Sequence, residues 1–242
     1  MRGSDWRGVI GPLIAAAMEH ISAEIRLAAV NAALARSAAT ARRELEDVTL
    51  IAVTKTHGAE AIEPLLTAGH RDFGENRVQE AQAKWPMLRE RHPRVRLHLI
   101  GQLQSNKAAD AVALFDVIHS VDRLSLVTAL ANAAHAAGRR PQCFIQVNLA
   151  AEPQKGGYSV PDLPNLIAAV GEAGLPLAGL MCIPPADKEP APWFALLAEL
   201  ARRHGVSGLS MGMSGDYETA VAIGATHVRV GTALMGERSP TG

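Results

Sequence analysis

The chain has 242 residues, a length that suits one large α/β domain or two smaller ones. Apolar residues make up 48% of it, enough for a substantial core, and 24 basic side chains balance 24 acidic ones. That balance excludes an overall electrostatic attraction for nucleic acid or an anionic membrane, no nucleic-acid motif accompanies the arginines, and no stretch approaches the length of a membrane span.

In chain order, Arg2 and Arg7 precede an apolar stretch from Val9 to Met18 that imitates an export signal. Asp5 and the Gly11-Pro12 pair interrupt that pattern, so residues 1–18 read as a loosely attached N-terminal extension. Residues 19–242 read as one domain. Ile21, Ile25, Ala28 and Ala32 recur at helical spacing, which predicts an amphipathic helix from 19 to about 46.

After it, β-rich runs at 48–54, 71–74, 97–100, 117–121, 143–148, 177–183, 206–210 and 227–230 alternate with Ala/Leu-rich helical segments. Those segments are 59–68, 76–91, 105–114, 123–137, 162–173, 191–204 and 216–223. Alternating β and α elements imply parallel strands with right-handed crossovers. Eight such units predict a single (β/α)8 TIM-type barrel of the α/β class with an additional N-terminal helix; an open doubly wound sheet is the alternative. Cys143 and Cys182 fall inside strand runs and offer neither metal-ligand spacing nor a disulfide framework, which points to buried, reduced thiols.

In a barrel of this kind the chemistry sits where the strands end. Lys55 closes the first apolar run, Leu50-Ile51-Ala52-Val53-Thr54. Removal from water at the barrel mouth favours the neutral amine that Schiff-base chemistry needs; a solvated lysine at a strand end is the plain alternative. Phe73-Gly74-Glu75-Asn76 closes the second strand, with Asn76 either a ligand contact or a helix cap. His98, alternating with Ile100, reads as a hydrogen-bonded interior histidine. Ser210-Met211-Gly212-Met213-Ser214-Gly215-Asp216 is expected to follow the seventh strand and open a helix, and Val228-Arg229-Val230-Gly231-Thr232 ends the eighth. Small residues with free backbone N–H groups in the loops after strands seven and eight make a phosphate site. A buried Arg229 requires a partner that only accepts, either a pyridine nitrogen or a carboxylate such as Glu75.

Taken together, Ile51 to Thr56, Phe73 to Asn76, His98 to Lys107, Gln146-Val147-Asn148, Gly179-Leu180-Met181, Ser210 to Asp216 and Arg229 to Thr232 occur in a specific order. In that order the chain closely resembles the pyridoxal phosphate homeostasis protein family (YggS/PROSC-like proteins) over residues 20–238. Thr54 stands where serine is usual, and Met235-Gly236 replaces the commoner Phe-Gly. The resemblance implies a barrel like the N-terminal domain of alanine racemase that binds pyridoxal 5'-phosphate (PLP). It implies Lys55 as the Schiff-base lysine, Ser214, Gly215, Gly231 and Thr232 at the phosphate, and Arg229 at the pyridine nitrogen. Asn76 and Met211 match positions beside the cofactor. Lys155 falls in a family Lys-x-Gly element, here Lys155-Gly156-Gly157, after the fifth strand; it reads either as a group that receives the cofactor or steers its phosphate, or as a solvated loop lysine.

The same resemblance implies a cytoplasmic monomer that acts in vitamin B6 balance without catalytic turnover, with PLP as partner and PLP-dependent apoenzymes as recipients. The rival readings are an amino-acid racemase and a Schiff-base aldolase. A racemase needs a second base opposite Lys55. In alanine racemase that base is a tyrosine from an appended β domain, for which the residues after the eighth strand leave no room. The two tyrosines, Tyr158 and Tyr217, fall in or near loops and read as packing residues.

Overall fold

Each apolar run lying between helical stretches becomes a short strand, and the eight strands pair in chain order until the last meets the first. The computed structural model describes residues 22–236. The strands are β1 (Thr49–Val53), β2 (Asp72–Glu75), β3 (Arg96–Leu99), β4 (Val117–Val121), β5 (Gln142–Gln146), β6 (Leu177–Met181), β7 (Gly208–Met213) and β8 (His227–Val230). All pairings are parallel, and strands buried on both faces need continuous apolar runs rather than alternation. This is the closed (β/α)8 barrel that the alternation predicts.

The helices are α1 (Ala23–Thr40), α2 (Ala59–Thr67), α3 (Val78–Arg91), α4 (Ala108–Leu114), α5 (Leu124–Ala137), α6 (Leu163–Glu172), α7 (Ala191–Arg203), α8 (Tyr217–Ala222) and α9 (Thr232–Met235). The longer helices each bury an apolar stripe. In α7 that stripe is Phe194, Leu197, Leu200 and Ala201, at helical spacing. Trp85 of α3 packs on Phe73 of β2 with ring centroids 5.0 Å apart. Among the described residues no helix is long and apolar enough to cross a membrane. The expected extension, residues 1–18, lies outside the described residues.

The N-terminal helix is shorter than its periodicity predicts. Ser22 caps it by accepting from the Ile25 N–H, and it ends at Thr40 rather than near 46. Arg42 then takes the left-handed conformation, with φ at 56°, and Leu45–Asp47 forms a 3-10 turn closed by a Glu44–Asp47 capping box. The Arg43 guanidinium donates to the carbonyls of Ala225, Val221 and Asp47, which ties the break to the turn before β8. A tertiary anchor thus overrides the local pattern.

Phe144 fills the barrel across two glycines of neighbouring strands. A Cβ on Gly179 would lie 2.2 Å from the Gly208 carbonyl oxygen and 2.5 Å from the Phe144 ring; one on Gly208 would lie 2.1 Å from the Ala178 carbonyl oxygen. These are backbone collisions that no rotamer relieves. Gly179→Ala is expected to lower stability by about 3 kcal/mol, read from the urea midpoint; an unchanged midpoint would contradict this packing.

Candidate functional site

Lys55 follows two buried residues, Val53 at the end of β1 and Thr54 just past it. The strand alternates, so Leu50, Ala52 and Thr54 share one face while Ile51, Val53 and Lys55 share the other. Contacts identify the faces. A Cβ on Gly74 of β2 would touch Ile51 and Ile100 inside the barrel, whereas Thr54 donates outward to Glu75 Oε1 at 2.6 Å. Lys55 therefore leaves β1 on the inward face, half-buried, and its amine has no hydrogen-bond or ion-pair partner among the described residues. The loop carrying it is held from outside. Lys84 of α3 donates to the carbonyls of Thr54 and His57 at 2.8 and 2.9 Å, and Glu80 accepts from the Thr56 N–H.

The two glycine loops meet beside that lysine. Gly231 N–H donates to Ser214 Oγ at 3.2 Å, which joins the ends of β7 and β8, and a Cβ on Gly231 would sit 3.6 Å from that of Val53. Backbone N–H groups of Ser214, Gly215 and Thr232 have no acceptor among the described residues. One expectation is corrected here. β7 runs on to Met213, so Ser210 to Met213 belong to the strand, and only Ser214 to Asp216 form the turn. A register irregularity between Ser210 and Met213 lets the strand continue. The Asp216 carboxylate closes that turn by accepting from the Met213 N–H at 2.6 Å.

Arg229 lies one layer deeper, paired with Ile51 of β1 and Met213 of β7. It is buried, and burial pushes its guanidinium below its ordinary value. Nη1 donates to Ser210 Oγ at 2.7 Å and Nη2 to the Cys182 carbonyl at 3.0 Å. Among the described residues no carboxylate reaches it. The Glu75 alternative fails because Glu75 points outward, where its Oε1 takes Lys84 at 2.9 Å and Trp85 Nε1 at 3.0 Å. Amide-lined loops, a buried donor-only cation and an unpaired amine on three adjacent strand ends are the groups that a phosphate, a ring nitrogen and an aldehyde each require. The residues present fit PLP.

Other predicted positions fall differently. Asn76 is half-buried after β2 and does not cap α3, whose N-cap is Arg77. Met211 is fully enclosed in the main apolar cluster, so its side chain serves packing. Lys155 is held by Glu152 at 2.8 Å and by the Pro184 carbonyl at 3.3 Å. Cys143 and Cys182 are free and buried, and burial pushes both thiols up to about 12. Among the described residues no cluster of His, Cys, Asp and Glu is arranged to hold a metal ion.

Sequence reasoning found His98 but missed its company. His119 and His227 share the barrel interior with it, and His119 stacks on Phe144 at 4.5 Å. Burial holds all three imidazoles below the ordinary 6.5, His119 well below and His227 at about 3. Below the ordinary histidine value the unfolded chain binds protons that the folded one refuses, so stability rises with pH and is lost on acidification. The urea midpoint is expected to fall from pH 6.5 downward, with His227 alone costing about 1.4 kcal/mol per pH unit well below 6.5. A midpoint flat from pH 6.5 to 4 would contradict three neutral interior histidines.

Known proteins share this chain's sequence and fold over most of its length. The family model for the N-terminal domain of alanine racemase matches residues 27–239. The pyridoxal phosphate homeostasis protein of Pseudomonas aeruginosa is 40% identical over 218 residues, covering 88% of this chain and 94% of that protein. That of Escherichia coli K12 is 38% identical over 222 residues, covering 88% of this chain and 95% of that one. Among solved structures, PipY of Synechococcus elongatus PCC7942 with PLP bound is 42% identical, with a TM-score of 0.74 over 84% of this chain and 100% of that one.

Proposed function

The chain belongs to the pyridoxal phosphate homeostasis protein family, and on that footing we propose that its barrel mouth binds PLP and holds it as a Schiff base on Lys55. When bound, PLP supplies an aldehyde that condenses reversibly with a primary amine. The observation that carries this reading is the unpaired Lys55 amine beside two loops with unsatisfied backbone N–H groups. Ser214, Gly215, Gly231 and Thr232 take the phosphate, Arg229 donates to the ring nitrogen, and Asn76 lies beside the ring. Met211 contributes by shaping the wall behind it.

The protein's task is to store and hand over PLP without turnover, releasing it to an incoming amine and so to PLP-dependent apoenzymes, as a monomer in the cytoplasm. Two features support this. Arg229 donates to the ring nitrogen and so leaves it unprotonated, which weakens the ring as an electron sink. Tyr158 and Tyr217 pack against the apolar core, so neither serves as the second base of a racemase.

The test is to incubate the PLP-loaded protein with single enantiomers of common amino acids and follow them by chiral chromatography. The expected result is release of PLP with no change of configuration. Sustained racemisation would replace the carrier by a racemase.

A further inference from the structure

Five interior polar residues of the barrel, Arg229, Ser210, His119, His98 and Asp72, form a hydrogen-bonded chain whose direction follows from either end. At the mouth, Arg229 can only donate, so Ser210 Oγ accepts from it at 2.7 Å. The Ser210 hydroxyl proton then goes to the next atom in reach, His119 Nδ1 at 2.8 Å. A neutral imidazole accepting at Nδ1 carries its proton on Nε2, and His119 Nε2 lies 2.9 Å from His98 Nδ1. His98 in turn carries its proton on Nε2, which lies 3.0 Å from Asp72 Oδ1. At the other end, an ionised Asp72 can only accept, which demands the same tautomers in reverse order. His98, His119 and Ser210 are completely buried.

We propose that Asp72, His98, His119 and Ser210 are positioning residues for Arg229, forming a one-way hydrogen-bond chain through the barrel that fixes its guanidinium. The proposal rests on the reading that Arg229 meets the ring nitrogen of PLP. Every N–H or O–H in the chain points from Arg229 toward Asp72, so each link presents its acceptor end toward the cation. The chain thereby relays the influence of a carboxylate to a buried guanidinium that has no carboxylate beside it. A carboxylate placed directly at the ring would favour protonating the nitrogen. Two imidazoles and a hydroxyl away, it orients Arg229 and leaves the nitrogen to accept. His227, whose ring faces both His98 and His119, stays outside the chain, since its Nδ1 pairs with Thr226 Oγ1 at 2.8 Å.

Two measurements test this. In purified protein labelled with ¹⁵N-histidine, NMR at neutral pH is expected to show His98 and His119 as neutral Nε2–H tautomers. A protonated ring or an Nδ1–H tautomer at either position would overturn the chain, and this readout needs no variant to fold. Second, Ser210→Ala, which removes one hydrogen bond to the guanidinium, and His119→Phe, which keeps a ring on Phe144 but leaves the Ser210 hydroxyl without its acceptor, are each expected to weaken PLP binding about tenfold. The double variant is expected to be no worse than either single one, and His119→Phe in an Arg229→Gln background to change nothing. If Arg229→Gln weakens PLP binding while Ser210→Ala and His119→Phe leave it unchanged, the positioning role is overturned and the cofactor reading stands. If Arg229→Gln itself leaves binding unchanged, the cofactor reading fails at this residue, and the tautomers decide the chain alone.

Discussion

Lys55→Ala is expected to abolish covalent retention of PLP and to weaken binding by at least about 100-fold, because only non-covalent contacts to phosphate and ring remain. The fold should be indifferent. Lys55 is half-buried and its amine is unpaired, and a substitution outside the core that breaks no partner changes stability by about 0.5 kcal/mol or less. The separation matters: a variant that denatures at the wild-type urea midpoint yet emerges from purification without PLP assigns the loss to the amine. Retention of covalently bound PLP by a folded Lys55→Ala protein would move the attachment elsewhere.

Lys84→Met is expected to produce the largest loss of stability, about 3–5 kcal/mol, as for any buried ion pair broken from one side. Glu75 is fully buried and the Lys84 side chain is only 9% exposed. Oε1 of Glu75 takes Lys84, Thr54 and Trp85, while Oε2 already has no partner. Removing the ammonium strands that charge between the barrel and α3. The same ammonium holds the carbonyls of Thr54 and His57 on either side of Lys55, across a turn where Thr56 sits at φ 66°. Lys84→Met is therefore expected to loosen PLP binding as well as the fold. Adding Glu75→Gln should recover a large part of the stability, since no buried charge is then left alone. A double variant as unstable as the single one would contradict that explanation. Circular dichroism during urea unfolding decides it.

The barrel was legible because its physics is local. Parallel strands covered by helices must be apolar on both sides, and Val117 to Val121 or Leu50 to Val53 announce themselves as such. The placement of the candidate residues was legible for a related reason. In this architecture chemistry collects at strand ends, and Lys55, Ser214, Gly215 and Gly231 stand where apolar runs stop.

The failures were all tertiary. The periodicity of α1 carries on past Thr40, but Arg43 finds carbonyls more than 170 residues away in the chain. Lys84 looks like half of a surface pair with Glu80, at i,i+4, and only the packing of α3 on β2 reveals Glu75 beneath it. Glu75 seemed a partner for Arg229 until Gly74 took the inward position and turned Glu75 outward.

The interior chain was the hardest to see. Its members come from five strands, and each alone is an ordinary residue on an alternating run: Asp72, His98, His119, Ser210 and Arg229. A signal did exist. Once the eight strands are placed, these are polar residues on strand faces that otherwise hold Ile51, Phe144 and Met181. A barrel filled that way must satisfy every polar atom internally. Reading the strands for face as well as for hydrophobicity would have found it.

The most direct test is to reduce the PLP-loaded protein with borohydride, digest it, and locate the pyridoxyl group by mass spectrometry. The account predicts one modified peptide, carrying the group on Lys55. A pyridoxyl group found on another lysine, with Lys55 unmodified, would contradict it.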